Sequence, residues 1–539
     1  MIRSFFRAGA RSFLTPRRYS SRKVSVLQSG LRAIQNLEGA QVHLYYLQCM
    51  AQASYMIHHD KNAFLVDPRR DIEAYLYDLE SKNLSLKGIF LTHIHADFVS
   101  GHKELIDHTG AVVYMGPGVK DRCQFQLTEL PDDAVVDVSD KFEIRALHTP
   151  GHTPESMTFV LVNKLNNKTP LAAFTGDTLF IGSVGRPDLV GSLNFTAEEM
   201  SRLMYDSLEK KIKTLPDDVV VYPAHGAGSP CGKNLSDDLW SSIGNEKQNN
   251  PALQFDAVEP FVKYLTTDQP QAPQYFFHDV ELNLAGAPSV SETVEKCKWT
   301  KPSELHSILK SDTTVCVVDT RSKEEYYHSH IGKSLLFSMG GQGGTTLAIW
   351  EGNFAIWVGT LVGPSRRLAV IASEGQETEA VQRLARIGYQ PEIVLDGGMK
   401  AWEAEQLPVD KSNLVEVRSE EQLTRLVDND DTVLVDVRTA SEYANNHIKS
   451  AINIPLSNLM TTRHDLNKTK LYVVYCHSGY RSSIAVSVLQ NVGLQATDIA
   501  GGFATVNVCV PQYTATGQVC PNMRKTVDDL QAVTVRAVS

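Results

Sequence analysis

Short apolar runs that stop abruptly on polar or charged residues recur along the chain, and they predict buried strands that carry chemistry at their ends. The N-terminal half has four. Gly88 to Leu91 runs into His93, His95 and Asp97, and Phe142 to Leu147 into His148-Thr149-Pro150-Gly151-His152. Leu171 to Phe174 runs into Thr175-Gly176-Asp177, and Val219 to Tyr222 into Pro223-Ala224-His225-Gly226. Further on, β-branched runs at Val315 to Val318, Thr432 to Val435 and Leu471 to Tyr475 alternate with helical patterns such as Glu379 to Ile387, the signature of an α/β arrangement.

The later segments repeat. Asp319 and Asp436, Tyr326 and Tyr443, and His330 and His447 are each 117 residues apart, whereas Gly397-Gly398 and Gly501-Gly502 are 104 apart. The first copy therefore holds about 13 extra residues, assigned to the Gly-rich stretch around Gly340 to Gly363. A period above 100 indicates a duplicated domain, because solenoid repeats run at about 20–50 residues. These patterns divide the chain into a lead over 1–39, a first α/β unit over 40–268 and a linker over 269–290 that contains Gln269-Pro270-Gln271-Ala272-Pro273-Gln274. Two homologous units follow, over 291–411 and 412–530.

Composition narrows the function classes. At 539 residues, with 42% hydrophobic and 21% charged residues, the chain reads as several globular units. A net charge of −10 gives no general reason to expect nucleic acid or an anionic membrane as partner, and no apolar run reaches transmembrane length. Eight cysteines without paired spacing fit a reducing compartment. The first 23 residues carry Arg3, Arg7, Arg11, Arg17, Arg18, Arg22 and Lys23, and no acid precedes Glu38. That is the composition of a mitochondrial transit peptide, so the expected location is the matrix, with cleavage plausible after Tyr19.

The four strand-end clusters, in this order, are a specific pattern; one alone would be weak. Thr92-His93-Ile94-His95-Ala96-Asp97, His148-Thr149-Pro150-Gly151-His152 and Thr175-Gly176-Asp177-Thr178-Leu179-Phe180, with Gly185-Arg186-Pro187-Asp188 and Tyr222-Pro223-Ala224-His225-Gly226, resemble the metallo-β-lactamase fold and, within it, the persulfide dioxygenases. The resemblance implies an αββα sandwich and one Fe(II) per chain held by His93, His152 and Asp177. Two histidines and one carboxylate leave open positions on octahedral iron for a persulfide and O₂, whereas zinc has no redox chemistry. His95, Asp97 and His225 would then lie behind the ligands, bonding water and orienting them. In much of the superfamily a histidine follows the motif aspartate and holds a second metal; here that residue is Phe98. His148 is expected to be structural. Arg186 either anchors a glutathione carboxylate or pins its loop, and Cys231 either accepts sulfane sulfur near the site mouth or has no role.

The second copy contains Val474-Tyr475-Cys476-His477-Ser478-Gly479-Tyr480-Arg481-Ser482-Ser483 and then a helical run. A cysteine between a buried strand and a helix N-terminus meets backbone N–H groups and a positive dipole, and Arg481 adds a charge; all favour thiolate. This passage, with the duplicated Asp-x-Arg, Glu-Tyr and His-Ile elements, resembles the rhodanese sulfurtransferases, and its Cys-x₄-Arg loop favours sulfur transfer over phosphate chemistry. Asp436 and Arg438 are expected to lock the strand and loop. The first copy has Ala372 and Glu377 where the second has Cys476 and Arg481, and no cysteine occurs between Cys316 and Cys476, so it is expected to be an inactive scaffold. The resemblance as a whole implies oxidation of a glutathione-type persulfide to sulfite with O₂, coupled to thiosulfate formation or its reverse at Cys476, with glutathione as co-substrate. Homo-oligomerisation is left open. Two alternatives are a zinc-dependent glutathione thioester hydrolase with accessory rhodanese domains and a non-catalytic sulfur-relay protein.

Overall fold

The computed structural model describes residues 31–189, 195–232, 235–267, 269, 272–340, 353–511 and 514–515. The Arg-rich lead over 1–30 and the middle of the Gly-rich stretch, 341–352, lie outside the described residues. The N-terminal unit is two sheets face to face with helices outside both. One sheet has seven strands that neighbour one another in chain order, from Leu31–Leu37 to Thr128–Glu129. The other has six, with Thr169–Gly176 and Met157–Asn163 at its centre. Between the sheets, Phe64, Phe90, Phe142, Phe159 and Phe174 interdigitate in one apolar core. Helices Glu73–Ser81 and His102–Thr109 cover one outer face, and Ala197–Ser207 and Val258–Thr266 the other. This is the expected αββα sandwich.

The two C-terminal units are five-stranded parallel sheets of the same order. In the first, Val315–Asp319 lies between Arg367–Ile371 and Leu335–Leu336; in the second, Thr432–Asp436 lies between Leu471–Tyr475 and Ile452–Asn453. Ser322 and Thr439 cap equivalent helices, each in a capping box with Glu325 or Glu442. Gly397 and Gly501 take positive φ at matching turns, 71° and 69°. Among the described residues no helix is long and apolar enough to cross a membrane.

Two expected boundaries are corrected. The first unit does not begin at residue 40: Leu31–Leu37 is an edge strand paired antiparallel with Ala40–Leu47. The span 269–290 is no loose linker either, for it contains helix Phe276–Ala285, which buries Phe276, Asp279 and Asn283. This helix lies between the sandwich and the first C-terminal unit and bonds to both. Asn283 reaches the carbonyls of His95 and Phe98, and His278 lies 3.2 Å from the Gly388 carbonyl. The joint is further closed by the Arg70 guanidinium, which donates to the carbonyls of Ala385 and Pro288, and by Val99 N–H, which donates to the Arg386 carbonyl at 2.8 Å.

Candidate functional site

The strand-end residues converge at one rim of the sandwich. His93, His152 and Asp177 each offer one ligand atom, all within 4.8 Å of one another. Asp177 Oδ2 is 3.4 Å from His152 Nε2 and 4.0 Å from His93 Nε2. Close backbone approach delivers Asp177: a Cβ on Gly176, at φ +53°, would lie 2.5 Å from Thr92 Oγ1. The tautomers follow from the hydrogen bonds. Thr92 Oγ–H donates to Asp67 Oδ2 at 2.8 Å, so its oxygen accepts from His93 Nδ1 at 3.0 Å. His152 Nδ1 donates to the Arg186 carbonyl at 2.8 Å. Both histidines therefore turn an unprotonated Nε2 toward Asp177.

This donor set fits a metal ion. His93 Nε2 and both Asp177 carboxylate oxygens are buried with no hydrogen-bond partner. Each such buried orphan costs about 1–3 kcal/mol, and a cation beside Asp177 would account for them; Asp97 Oδ1 and the ring nitrogens of His95 and His225 are orphaned too, on the side that Asp177 Oδ1 faces. Burial, reinforced by His95, His152 and His225, holds His93 well below the ordinary histidine range, which keeps its lone pair available.

His95, Asp97 and His225 form a second group of three donors within the same span. His225 Nε2 stands 3.3 Å from Asp97 Oδ2 and 3.5 Å from Asp177 Oδ1, against the first group. His95 Nε2 also lies 3.0 Å from Asp67 Oδ1. Burial pushes His95 down, but Asp67, with Asp97 and Asp177, outweighs it and the ring is raised. Phe98, 2% exposed, packs its ring 4.3 Å from that of His95 and 6.4 Å from that of His225.

Three residues stand differently from their expectation or beside it. Arg186 is not placed to anchor glutathione. It is 1% exposed and clamps Asp188 with two bonds of 2.7 Å, while Nη1 donates to the Pro230 carbonyl, so it holds the loop behind His152. Cys231 is not at the mouth: it is buried, grouped with Asp177 and His225 within 4.8 Å. Burial, then Asp97 and Asp177, raise its thiol well above the ordinary range, which keeps it neutral. His148 lies outside the cluster, its Nε2 2.8 Å from the Pro154 carbonyl.

The sequence reading missed the residues that support the metal loop. Asp67 accepts from Thr92 N–H and Oγ–H, both at 2.8 Å; the signal was a fifth apolar run, Ala63 to Val66, ending on an aspartate. Asn283 donates to the His95 and Phe98 carbonyls and accepts from Ser100 N–H, each at 2.8 Å, and Tyr275 OH donates to the Asp97 carbonyl at 3.2 Å. Both arrive from the segment read as a linker.

In the last unit, Cys476 follows strand Leu471–Tyr475 and precedes helix Tyr480–Asn491. Gly479, at φ +113°, donates its N–H to Cys476 Sγ at 3.1 Å, and Ser482 Oγ donates at 3.5 Å. Arg481 does not add a lone charge, because Glu442 accepts from both its terminal nitrogens at 2.7 and 2.8 Å. Asp436 and Arg438 pair in the buried strand end, with Arg438 also donating to the Asn446 carbonyl. In the first copy Ala372 is buried, and Ser373 donates to Glu325, the counterpart of Glu442. Cys316 is core, its thiol pushed up to about 11 by burial.

Comparison with known proteins agrees with this architecture. A model of the metallo-beta-lactamase superfamily matches residues 47–225, and a model of the rhodanese-like domain matches 301–405 and 419–507. The chain is 31% identical over 213 residues to hydroxyacylglutathione hydrolase GloC of Haemophilus influenzae, covering 36% of this chain and 88% of that protein. It is 30% identical over 206 residues to a probable polyketide biosynthesis zinc-dependent hydrolase, BaeB, of Bacillus velezensis, covering 38% and 81%. Among solved structures, a metallo-beta-lactamase from Staphylococcus aureus is 27% identical with a TM-score of 0.56, covering 68% of this chain and 99% of that one. That span is longer than the lactamase segment alone, so the likeness extends into the C-terminal units.

Proposed function

Because the chain belongs to the metallo-β-lactamase superfamily and carries two rhodanese-like domains behind that unit, we propose that it is an iron-dependent persulfide dioxygenase coupled to rhodanese sulfur transfer. The observation that carries this reading is the position of Phe98. Its buried ring fills space beside His95 and His225, next to the possible ligand face of His93, His152 and Asp177, on which His93 Nε2 and both Asp177 oxygens are orphaned. One metal with open positions suits oxidation of a sulfur substrate better than a paired-metal hydroxide.

Fe(II) bound by His93, His152 and Asp177 would supply O₂ activation. Overall, one glutathione-type persulfide, one O₂ and one water give the free thiol and sulfite, with two protons released and four electrons passing from the outer sulfur to oxygen. The chain's own residues hold the face rigid: Asp67 and Asn283 fix the metal loop, and the Arg186 carbonyl orients His152. Cys476, carrying an outer sulfur, passes it to sulfite to give thiosulfate and recovers its thiolate, or runs the reverse. The Arg-rich, acid-free first 23 residues support a mitochondrial matrix location.

Iron-loaded protein should consume O₂ with glutathione persulfide and form sulfite; full iron loading without O₂ uptake would overturn the reading. Cys476→Ser should keep O₂ consumption and lose thiosulfate formation. A second reading, a zinc-dependent glutathione thioester hydrolase, is favoured by the names of the GloC and BaeB relatives. It predicts zinc in the purified protein and thioester cleavage without O₂.

A further inference from the structure

Among the described residues, the acids and bases around Cys476 do not balance within the second rhodanese copy. Arg481 is paired with Glu442, and Arg438 with Asp436. Asp498, fully buried at the end of the neighbouring strand Gln495–Ile499, is left over. It lies on the strand beside the one that leads to the sulfur: its register partner is Val474, two residues before Cys476. An unpaired carboxylate there would repel the anions this loop is read as handling.

Its countercharge comes from the other copy. Lys323, the first residue of helix Lys323–His328, donates Nζ–H to Asp498 Oδ2 across the seam, and Tyr327 OH donates to the same oxygen at 3.4 Å. The ammonium also stands over the Cys476 loop, for a Cβ on Gly479 would lie 3.2 Å from Lys323 Nζ. Neither partner is an inheritance of the duplication. Ala440 occupies the place of Lys323 in the second copy, 117 residues on, and Val394 that of Asp498 in the first, 104 residues back. Lys323 keeps 18% of its side chain exposed while Asp498 has none, so the cation is the member of the pair that faces incoming solute.

We propose that the first rhodanese copy, though it lacks the cysteine, completes the Cys476 site by supplying Lys323 as a positioning residue that neutralises Asp498 and keeps the loop receptive to small anions such as sulfite and thiosulfate. This rests on the reading of Cys476 as a sulfur carrier. It gives the inactive copy a specific task, namely charge selection at its neighbour's thiol.

The test uses the full-length, iron-loaded chain and two alkylating agents of similar size, anionic iodoacetate and neutral iodoacetamide, with modification of the Cys476 peptide followed by mass spectrometry. Lys323→Met should lower the iodoacetate-to-iodoacetamide rate ratio roughly three- to tenfold, the effect of one charge at this range in a partly screened site. Lys323→Arg should hold the ratio, and Lys323→Met with Asp498→Asn should restore it, because the acid that needed neutralising is gone. An unchanged ratio in Lys323→Met, an equal loss with both reagents, or failure of the double variant to recover would each overturn the proposal. So would a wild-type Cys476 inert to both, since a site for small anions must admit them. The underlying reading fails separately, if Cys476→Ser leaves thiosulfate turnover intact while the charge selectivity holds.

Discussion

The ring of Phe98 lies 4.3 Å from the ring of His95, tilted by 35°, and the two side chains close one side of the metal rim. Phe98 thus offers no ligand atom on that side and packs on a histidine that lies close to Asp67. Phe98→His should raise the metal content of protein grown in zinc-rich medium from about one toward two ions per chain, read by elemental analysis, because Asp97 and His225 already wait beside it. Persistence of a single ion would mean that the His95–Asp67 contact, rather than Phe98, closes the second position.

Asn283 carries the metal loop from outside the sandwich. Its side chain makes three bonds of 2.8 Å, to the His95 and Phe98 carbonyls and from Ser100 N–H. Removing a supporting partner of this kind commonly costs about 10–100-fold in metal affinity. Asn283→Ala should therefore release the bound metal to a competing chelator at a correspondingly lower chelator concentration, while Cys476-dependent sulfur transfer, located two domains away, stays at the wild-type rate. Equal metal retention would remove Asn283 from the support of the site.

Much of this was legible because strand ends are written locally. His93, His152, Asp177 and His225 each follow an apolar run, and a sheet brings such ends to one rim whatever the details of packing. The observed strands Phe142–His148, Thr169–Gly176 and Val220–Pro223 sit within a few residues of the predicted ones. The thiol loop was equally local, since strand, glycine and helix lie within a dozen residues. What escaped depends on partners far along the chain. Asn283 meets His95 across 188 residues, and Lys323 meets Asp498 across 175; no periodicity encodes either contact. Arg186 was a different case, for Asp188 two residues on was visible and a two-residue clamp could have been read. The strand Leu31–Leu37 was hidden in the sequence: it follows closely on the Arg-rich lead, and Leu-Arg-Ala-Ile-Gln-Asn-Leu does not alternate apolar with polar, although burial alternates from Ala33 to Leu37.

Arg386 of the first rhodanese copy and Asp71 of the sandwich form an ion pair at the joint, with Nε 2.7 Å from Oδ2 and side chains 13% and 17% exposed. Breaking a buried pair by deleting one partner leaves a charge without compensation and typically costs about 3–5 kcal/mol. Asp71→Ala should lower the stability of the unfolding step that separates these units by that order, measured in urea with the metal content held equal. Adding Arg386→Met should return most of the loss. If the single variant shifts nothing, the joint is held by the backbone bonds of Val99 and Arg70 instead.

Glu442 links cap, arginine and thiol loop, and its protonation should be visible in the acid range. It accepts from both terminal nitrogens of Arg481 and from the N–H and hydroxyl of Thr439. Burial opposes the charge, but Arg481 and Thr439 prevail and hold the carboxyl down to about 2 from an ordinary 4.5. Between those values the unfolded chain binds the proton and the folded chain does not. The stabilisation is therefore complete above pH 4.5 and is lost progressively as pH falls toward 2. Urea midpoints for the last domain should fall more steeply over this window in the wild type than in Glu442→Gln, which has no proton to take up there. At neutral pH the same variant should slow thiosulfate formation, because Arg481 is then held by a neutral amide in place of a bidentate carboxylate. Parallel acid profiles would show that the clamp is not formed in solution.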